Sequence, residues 1–378
     1  MDAEFDAWLE LIHRNGLGRD KLRQLLAAFG SAQAVLAASG AALRAVAGPR
    51  AGVDDFMQST AEVAPRVAVS QAWLGAQPDR HLITLADAAY PALLLQISDP
   101  PLALFVEGDL QALAQPALAI VGSRSATPQG LANASAFARE LARQGWGVVS
   151  GLAAGIDAAA HEGALAGGGR TIAVVGTGLD QVYPRSNRAL AARIRAQGAL
   201  ISEYTPGTPP LAAHFPQRNR IIAALTRGTL VVEAAVQSGS LITARLAAEA
   251  GREVFAIPGS IHSPQVKGCH ALLRQGAKLV ETAADVIEEL RSSGGVPAVS
   301  SQSQSPDDAV AADDPTADNS AAADPVLRAL GHDPASLDAL MARCGWPAHE
   351  LSAKLLELEL MGHVARLPGG LFQRLQQA

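Results

Sequence analysis

Short apolar runs, each closed by small residues, repeat through the middle of the chain. They lie at Leu118 to Val121, Gly147 to Val149, Thr171 to Val175, Leu200 to Ser202, Gly228 to Glu233 and Glu253 to Ile257. Apolar runs of this length read as strands buried on both faces. The turns that follow are rich in glycine and serine, and most lead into alanine-rich, helix-forming stretches. Strand, small-residue turn and helix in repetition predict a doubly wound, mostly parallel α/β sheet. Lys278 to Val280 extends it, and a last helix runs to about Arg291. Upstream, Tyr90 to Gly108 is a connector whose Asp99-Pro100-Pro101 turn leads to a strand at Leu102 to Val106.

The flanks follow other periods. Residues 1–75 place Leu9, Leu11, Ile12, Leu22, Leu25, Leu26 and Phe29 at helical spacing, with turns at Asn15 to Gly18, Gly30-Ser31 and Gly48-Pro49. A small helical domain is expected there. Its Gly-x-Gly turn, followed by Lys21 and Arg23, is similar to helix-hairpin-helix and SAM-type modules, which use such turns on DNA phosphates or on proteins. Residues 292–324 are Ser, Ala, Asp and Pro with little to bury, the composition of a flexible acidic linker. Residues 325–378 regain helical periodicity and end in a hairpin-like Gly362 to Phe372, a winged-helix pattern. The core domain spans residues 80–291.

Composition narrows the class. A chain of 378 residues with 49% hydrophobic and 17% charged residues is core-forming and holds more than one domain. No apolar run reaches the length of a membrane span, and the acidic Met1-Asp2-Ala3-Glu4 differs from a signal peptide, so a cytoplasmic location is expected. Cys269 and Cys344 match no metal or redox spacing. The net charge of −6 argues against a general nucleic-acid binder but is unevenly spread. Residues 117–291 hold 17 Lys and Arg against 12 Asp and Glu, so the core is basic within an acidic chain.

Two common chemistries are missing. The first strand-helix turn is Gly122-Ser123-Arg124 rather than a dinucleotide-binding G-x-G-x-x-G, and no Walker A run exists. No cofactor and no metal are expected. The remaining polar residues suit gripping an anion: Arg124, Arg218 and Arg220 as guanidinium forks, with Ser123, Ser150, Ser238 and Ser240 in turns whose backbone donors converge. Gly151, Gly176, Gly178 and Gly239 let a ligand approach the backbone, and Asn219 sits between the two arginines. Phe215 and Tyr183 offer rings for stacking, though they also suit a core, and the arginines also suit structural ion pairs. Asp157 and His161, one helical turn apart, read as an acid/base pair or as braces for the neighbouring loop. Glu233, at the end of its strand, is placed to orient a loop or an arginine.

The ordered motifs YPALLLQISDPPLALFVEGD, VGSR, SGLAAGIDAAAH, GTGLDQVYPRSN, HFPQRNRIIAALT, VVEAAVQSGSLITA, VFAIPG and KGCHALLRQGA resemble the DNA-processing protein A family, DprA or Smf, over about residues 80 to 291. The resemblance implies an extended Rossmann core that binds single-stranded DNA, forms a homodimer and loads the RecA recombinase during natural transformation, without enzymatic activity. It also implies that Gly122, Ser123, Arg124, Phe215, Arg218, Asn219, Arg220, Ser238, Gly239 and Ser240 line the DNA pocket. The alternative is a nucleoside-monophosphate hydrolase of the LOG type, whose PGGxGT loop is absent from Ala234 to Ser240.

Overall fold

The computed structural model describes residues 3–58, 60–292, 324–331, 334–367 and 369–375. The expected linker at 292–324 lies almost wholly outside them.

Six helices open the chain: α1 (Ala3–His13), α2 (Arg19–Phe29), α3 (Ala32–Ala37), α4 (Gly40–Ala47), α5 (Val53–Gln58) and α6 (Thr60–Gly75). Local chemistry sets their ends. The Ser31 and Ser39 hydroxyls accept the N–H groups of Ala34 and Ala42, and Gly30 closes α2 in the left-handed conformation. Trp8, Leu11, Leu25, Leu43 and Phe56 form their common core. Leu9 and Trp73, however, belong to the buried cluster of Phe105, Ala173 and Leu190, so this module is joined to the sheet through shared apolar packing.

Nine strands form the main sheet: β1 (Arg80–Thr84), β2 (Ala103–Gly108), β3 (Ala117–Val121), β4 (Gly147–Ser150), β5 (Thr171–Val174), β6 (Ala199–Ser202), β7 (Gly228–Val231), β8 (Glu253–Ala256) and β9 (Lys278–Leu279). Their order is β1-β2-β6-β5-β4-β3-β7-β8-β9, parallel except for β1 with β2 and β2 with β6. The strands alternate between two cores. Ala119 and Val121 face one cluster with Ile221, Ile222 and Ala244, whereas Leu118 and Ile120 face the other with Phe137, Leu141 and Ile156. Helices α7 (Pro128–Arg143), α8 (Ile156–Ala166), α9 (Arg188–Gln197), α10 (His214–Ala224), α11 (Ser240–Glu249), α12 (Lys267–Arg274) and α13 (Ala283–Ser292) complete this region. The doubly wound expectation holds.

The edge strand β1 has no counterpart in the sequence reading. Its first residue, Arg80, lies directly across from Glu107 of β2 and binds it at 2.9 Å. Glu107 is fully buried and also meets Arg195 of α9 at 3.2 Å. One carboxylate therefore ties the edge hairpin to the helical layer.

The C-terminal module comprises α14 (Pro325–Leu330), β10 (Ala335–Ser336), α15 (Leu337–Cys344), α16 (Ala348–Leu360), β11 (Val364–Leu367) and β12 (Leu371–Arg374). Three helices and a small antiparallel sheet pack around Leu327, Leu340, Leu351 and Leu355, as the winged-helix pattern predicts.

Removing Glu107 leaves two guanidiniums facing an emptied, desolvated site. Glu107→Ala is expected to lower the free energy of unfolding by about 3 kcal/mol, measured by urea titration. An unchanged midpoint would show that the pair contributes nothing.

Candidate functional site

From β3 the chain proceeds to β4, β5 and β6 on one side, then returns to β7, β8 and β9 on the other. The loops leaving β3 and β7 therefore diverge, the place where open α/β sheets hold ligands. A cleft of about 800 Å³ opens between them.

Its first wall is Gly122-Ser123-Arg124. The Ser123 N–H donates to the Glu233 carbonyl at 2.8 Å, and its hydroxyl accepts the Ser125 N–H at 3.2 Å, so the loop is folded tightly. Arg124 projects from it, exposed, with its guanidinium 5.7 Å from the Phe215 ring centre and no ion pair among the described residues. The opposite wall is the start of α11. Ser238 and Ser240 share a hydroxyl hydrogen bond of 2.7 Å, and no side chain caps this helix. Within its first turn the N–H groups of Leu241 and Ile242 donate to the Ser238 and Gly239 carbonyls at 3.1 Å, and that of Ser240 to the Ser238 hydroxyl at 3.4 Å, so α11 offers the cleft its two serine hydroxyls and the positive end of the helix dipole. The α10 face contributes Phe215, Arg218 and Asn219, whose side-chain N–H reaches the Gly239 carbonyl at 3.5 Å. Tyr183, half exposed, tilts against Phe215 with ring centres 5.6 Å apart.

Arg218 occupies the floor rather than the rim. It is 5% exposed, and its Nη2 donates to the Gly151 carbonyl at 3.0 Å. A Cβ on Gly151 would lie 1.6 Å from the Arg218 Nη1, so any larger residue would displace the guanidinium from its seat. Burial lowers the Arg218 pKa to about 10 against the pull of Asp157, so the group stays charged at neutral pH. Asp157 in turn accepts the N–H groups of Gly151 at 3.1 Å and Ala153 at 3.4 Å. Burial pushes its carboxyl up, opposed by Arg218 and those bonds. Arg218 and Asp157 thereby hold a loop in which Leu152 adopts φ 57°.

Five predicted pocket residues do not line the cleft. Ser150 is buried and donates its hydroxyl to the Ile120 carbonyl at 2.6 Å. Gly151 is the seat for Arg218. Gly176 accepts His214 Nδ1–H at 3.1 Å, and Gly178 donates to the Thr208 carbonyl at 3.0 Å, so both brace loops. Arg220 lies on another side of α10 from Arg218 because successive helical residues turn by about 100°. Its guanidinium meets Glu203 and Asp99 instead. The remaining predicted residues converge in the cleft.

The residues expected to play polar structural roles can be placed as well. Glu233 accepts the backbone N–H of Thr127 at 2.9 Å and the Thr127 hydroxyl, which itself caps α7. Burial raises its pKa, opposed by these bonds. His161 does not pair with Asp157. Thr171 donates its hydroxyl to the Val148 carbonyl at 2.8 Å, so it must accept from His161 Nδ1–H at 2.7 Å. The brace reading fits both Asp157 and His161.

The residue reading missed a second groove of about 490 Å³ that shares Tyr183 and Pro210 with the cleft. Arg185 and Arg188 line it without ion-pair partners among the described residues, beside Arg80 and Arg195, which Glu107 holds. The available signal was two arginines at i, i+3 directly after Tyr183-Pro184.

A family model described as DNA recombination-mediator protein A matches residues 81–291, and one for a DprA winged-helix domain matches residues 310–370. The chain belongs to the DNA recombination-mediator protein A family. The Smf protein of Escherichia coli is 45% identical over 313 residues, spanning 82% of this chain and 81% of that protein. The DNA processing protein DprA of Streptococcus pneumoniae is 50% identical over 206 residues, 54% of this chain and 73% of that one. The solved DprA structure from Streptococcus pneumoniae aligns with a TM-score of 0.66 at 39% identity, over 75% of this chain and 97% of that one. A second DprA structure, from Helicobacter pylori and concerned with its single-stranded DNA binding mode, aligns with a TM-score of 0.51 at 32% identity, over 56% and 97%.

Two buried histidines, His161 in the DprA-family core and His13 in α1, are expected to make stability pH-dependent. Burial, then Arg218, lowers His161 to about 3, and burial, then Arg66, lowers His13 to about 4. Unfolded imidazoles take up protons below their ordinary value of 6.5, whereas these folded ones refuse them until pH 4 or below. Stability is therefore lost as pH falls through that window, by about 1.4 kcal/mol per pH unit for each histidine. Urea midpoints at pH 7 and pH 5 check this, with a smaller acid loss expected for His161→Gln. Equal midpoints for the wild type would refute it.

Proposed function

We propose that this protein binds single-stranded DNA in the cleft between β3 and β7 and acts, without catalysis, as a recombination mediator. The observation that carries this reading is Arg124, without an ion pair among the described residues, facing the positive end of the α11 dipole and the Ser238 and Ser240 hydroxyls across a cleft lined by Phe215 and Tyr183. A guanidinium, serine hydroxyls and a positive helix end suit phosphate oxygens, and exposed ring faces suit unpaired bases, whichever base is present. Bases in a duplex are already stacked and offer these rings no free face. A strand also fits better than a single nucleotide, because the cleft leads into the groove that carries Arg185 and Arg188. The relative from Helicobacter pylori supports the same ligand class. Glu233, the acid a hydrolase would need, is committed to Thr127, which disfavours the LOG-type alternative.

The family's description as recombination mediators supports the further proposals that the protein protects incoming DNA and loads RecA during natural transformation, as a cytoplasmic homodimer. Two copies would join two clefts on one strand and raise avidity without new contact types. The winged-helix module is assigned no part in holding the strand. Its helix α16 carries Glu350, Glu357 and Glu359, and its lysine, Lys354, is paired with Asp324 at 3.3 Å and Glu357 at 3.1 Å.

Fluorescence anisotropy of labelled oligo-dT across a salt series tests the reading. Arg124→Ala should weaken binding by about 1–3 kcal/mol, and the log–log salt slope should become shallower by about 0.7 for one lost phosphate contact. Its unfolding midpoint should not move. Unchanged affinity would remove Arg124 from the site, and absence of wild-type binding at low salt would refute the function. Deletion of residues 292–378 should leave the affinity within about twofold, since the phosphate-facing groups lie in the core. A collapse would make the winged helix the reader.

A further inference from the structure

The helix that lines the cleft is gripped on its far side by the N-terminal helical module. Arg23 of α2 donates to Asp99 Oδ1 at 2.7 Å, to the Pro100 carbonyl at 3.0 Å and to the Ser98 carbonyl at 3.4 Å. Arg19, four residues earlier and one helical turn away, reaches Asp99 Oδ2 at 2.8 Å and Glu203 Oε2 at 2.9 Å. The same two carboxylates hold Arg220 of α10, through Glu203 Oε2 and through Asp99 Oδ2 at 3.4 Å, and Arg220 also donates to the Asp99 carbonyl. Burial tends to raise Asp99, but Arg23, Arg220 and Arg19 together hold it below its ordinary value. Three guanidiniums thus share two carboxylates, and each carboxylate bridges α2 to α10.

The start of α10 is fixed from the same segment. Tyr204, next to Glu203, stacks on His214 with ring centres 3.9 Å apart. Its hydroxyl donates to Gln217 Oε1 at 3.2 Å. Phe215, Arg218 and Ile222 recur at three- and four-residue spacing and face the cleft, while Arg220 is turned away. Rotation of α10 about its axis would move Phe215 and Asn219 together, and the Arg220 anchor opposes that rotation.

We infer that Arg19 and Arg23 are positioning residues: through Asp99 and Glu203 they hold Arg220 and so set the orientation of the cleft-lining face of α10. Of Lys21 and Arg23, the basic residues that a helix-hairpin-helix likeness would set on DNA phosphates, this assigns Arg23 to docking, together with Arg19. The coupling runs through a continuous chain of hydrogen bonds and ion pairs, a physical path between module and cleft. The inference rests on the cleft being the DNA site, and two independent measurements separate the two claims.

The first is hydrogen exchange of full-length wild type, Arg23→Ala and Arg19→Gln without DNA. Amides of residues 214–224 should exchange faster in both variants while the strands of the main sheet keep their protection. The second is oligo-dT anisotropy across a salt series at a temperature where all three proteins are folded. Affinity should fall by roughly three- to tenfold with an unchanged log–log salt slope. A slope shallower by about 0.7 per arginine would mean that these residues touch phosphate, and the inference fails. It fails equally if α10 exchange is unaltered, or if exchange rises and affinity stays constant. If the wild type binds no DNA, the cleft reading fails and the positioning role falls with it, while faster α10 exchange would still establish the mechanical link.

Discussion

Parallel pairing of β3 with both β4 and β7 forces the loops at their carboxyl ends to leave in different directions. Everything at the candidate site follows from that divergence. A parallel strand must be reached by a crossover, and the crossovers here pack helices on both faces of the sheet. The strands are therefore mostly apolar, and most of the polar chemistry is displaced to the turns beyond them. Gly122 to Arg124 and Gln237 to Ser240 are those turns, one on each side of the division.

Three arginines of the core illustrate how burial assigns work to one side-chain type. Arg124 extends from a turn, lies over a ring and has no ion pair among the described residues. Arg218 is desolvated, so it must be compensated internally, and Asp157 with the Gly151 carbonyl supplies that compensation. Its charge shapes the floor of the cleft and stiffens the Gly151 to Asp157 loop. Arg220 is partly buried and turned toward the helical module, where Glu203 and Asp99 satisfy it. A partly buried guanidinium without such partners would carry a cost of several kcal/mol, on the order of the net stability of a whole domain.

The polar groups around the cleft are thus layered. Braces such as Glu233 on Thr127, Asn187 on the Leu152 carbonyl at 2.9 Å and Asp157 on Gly151 hold loops in place. They leave Arg124 and Tyr183 exposed at the cleft. Preorganisation of this kind lets a flexible, charged strand be ordered without also ordering the protein. The network of Arg19, Arg23, Asp99, Glu203 and Arg220 extends the same logic outward to the N-terminal helices.

The strands of the main sheet, except β1, were legible in the sequence, because a strand buried on both faces must be apolar and its exit must be small. The turn Gly122 to Arg124, the α11 entry at Ser238 to Ser240 and the family motifs were legible for the same reason: each is a contiguous stretch with a local conformational requirement. What the sequence could not assign was the destination of side chains whose partners lie far along the chain. Strand β1 begins with Arg80, whose partner Glu107 is 27 residues away. Arg220 reaches Asp99 across 121 residues, and Arg19 reaches Glu203 across 184. Ser150 ends β4, and Gly151, Gly176 and Gly178 sit in turns of the right composition, yet their polar groups and close contacts serve neighbouring strands, loops and Arg218. Periodicity and turn chemistry determined the elements and their order. Only tertiary packing decided which arginine stays available for a ligand, because that depends on which distant carboxylate or carbonyl is brought beside it.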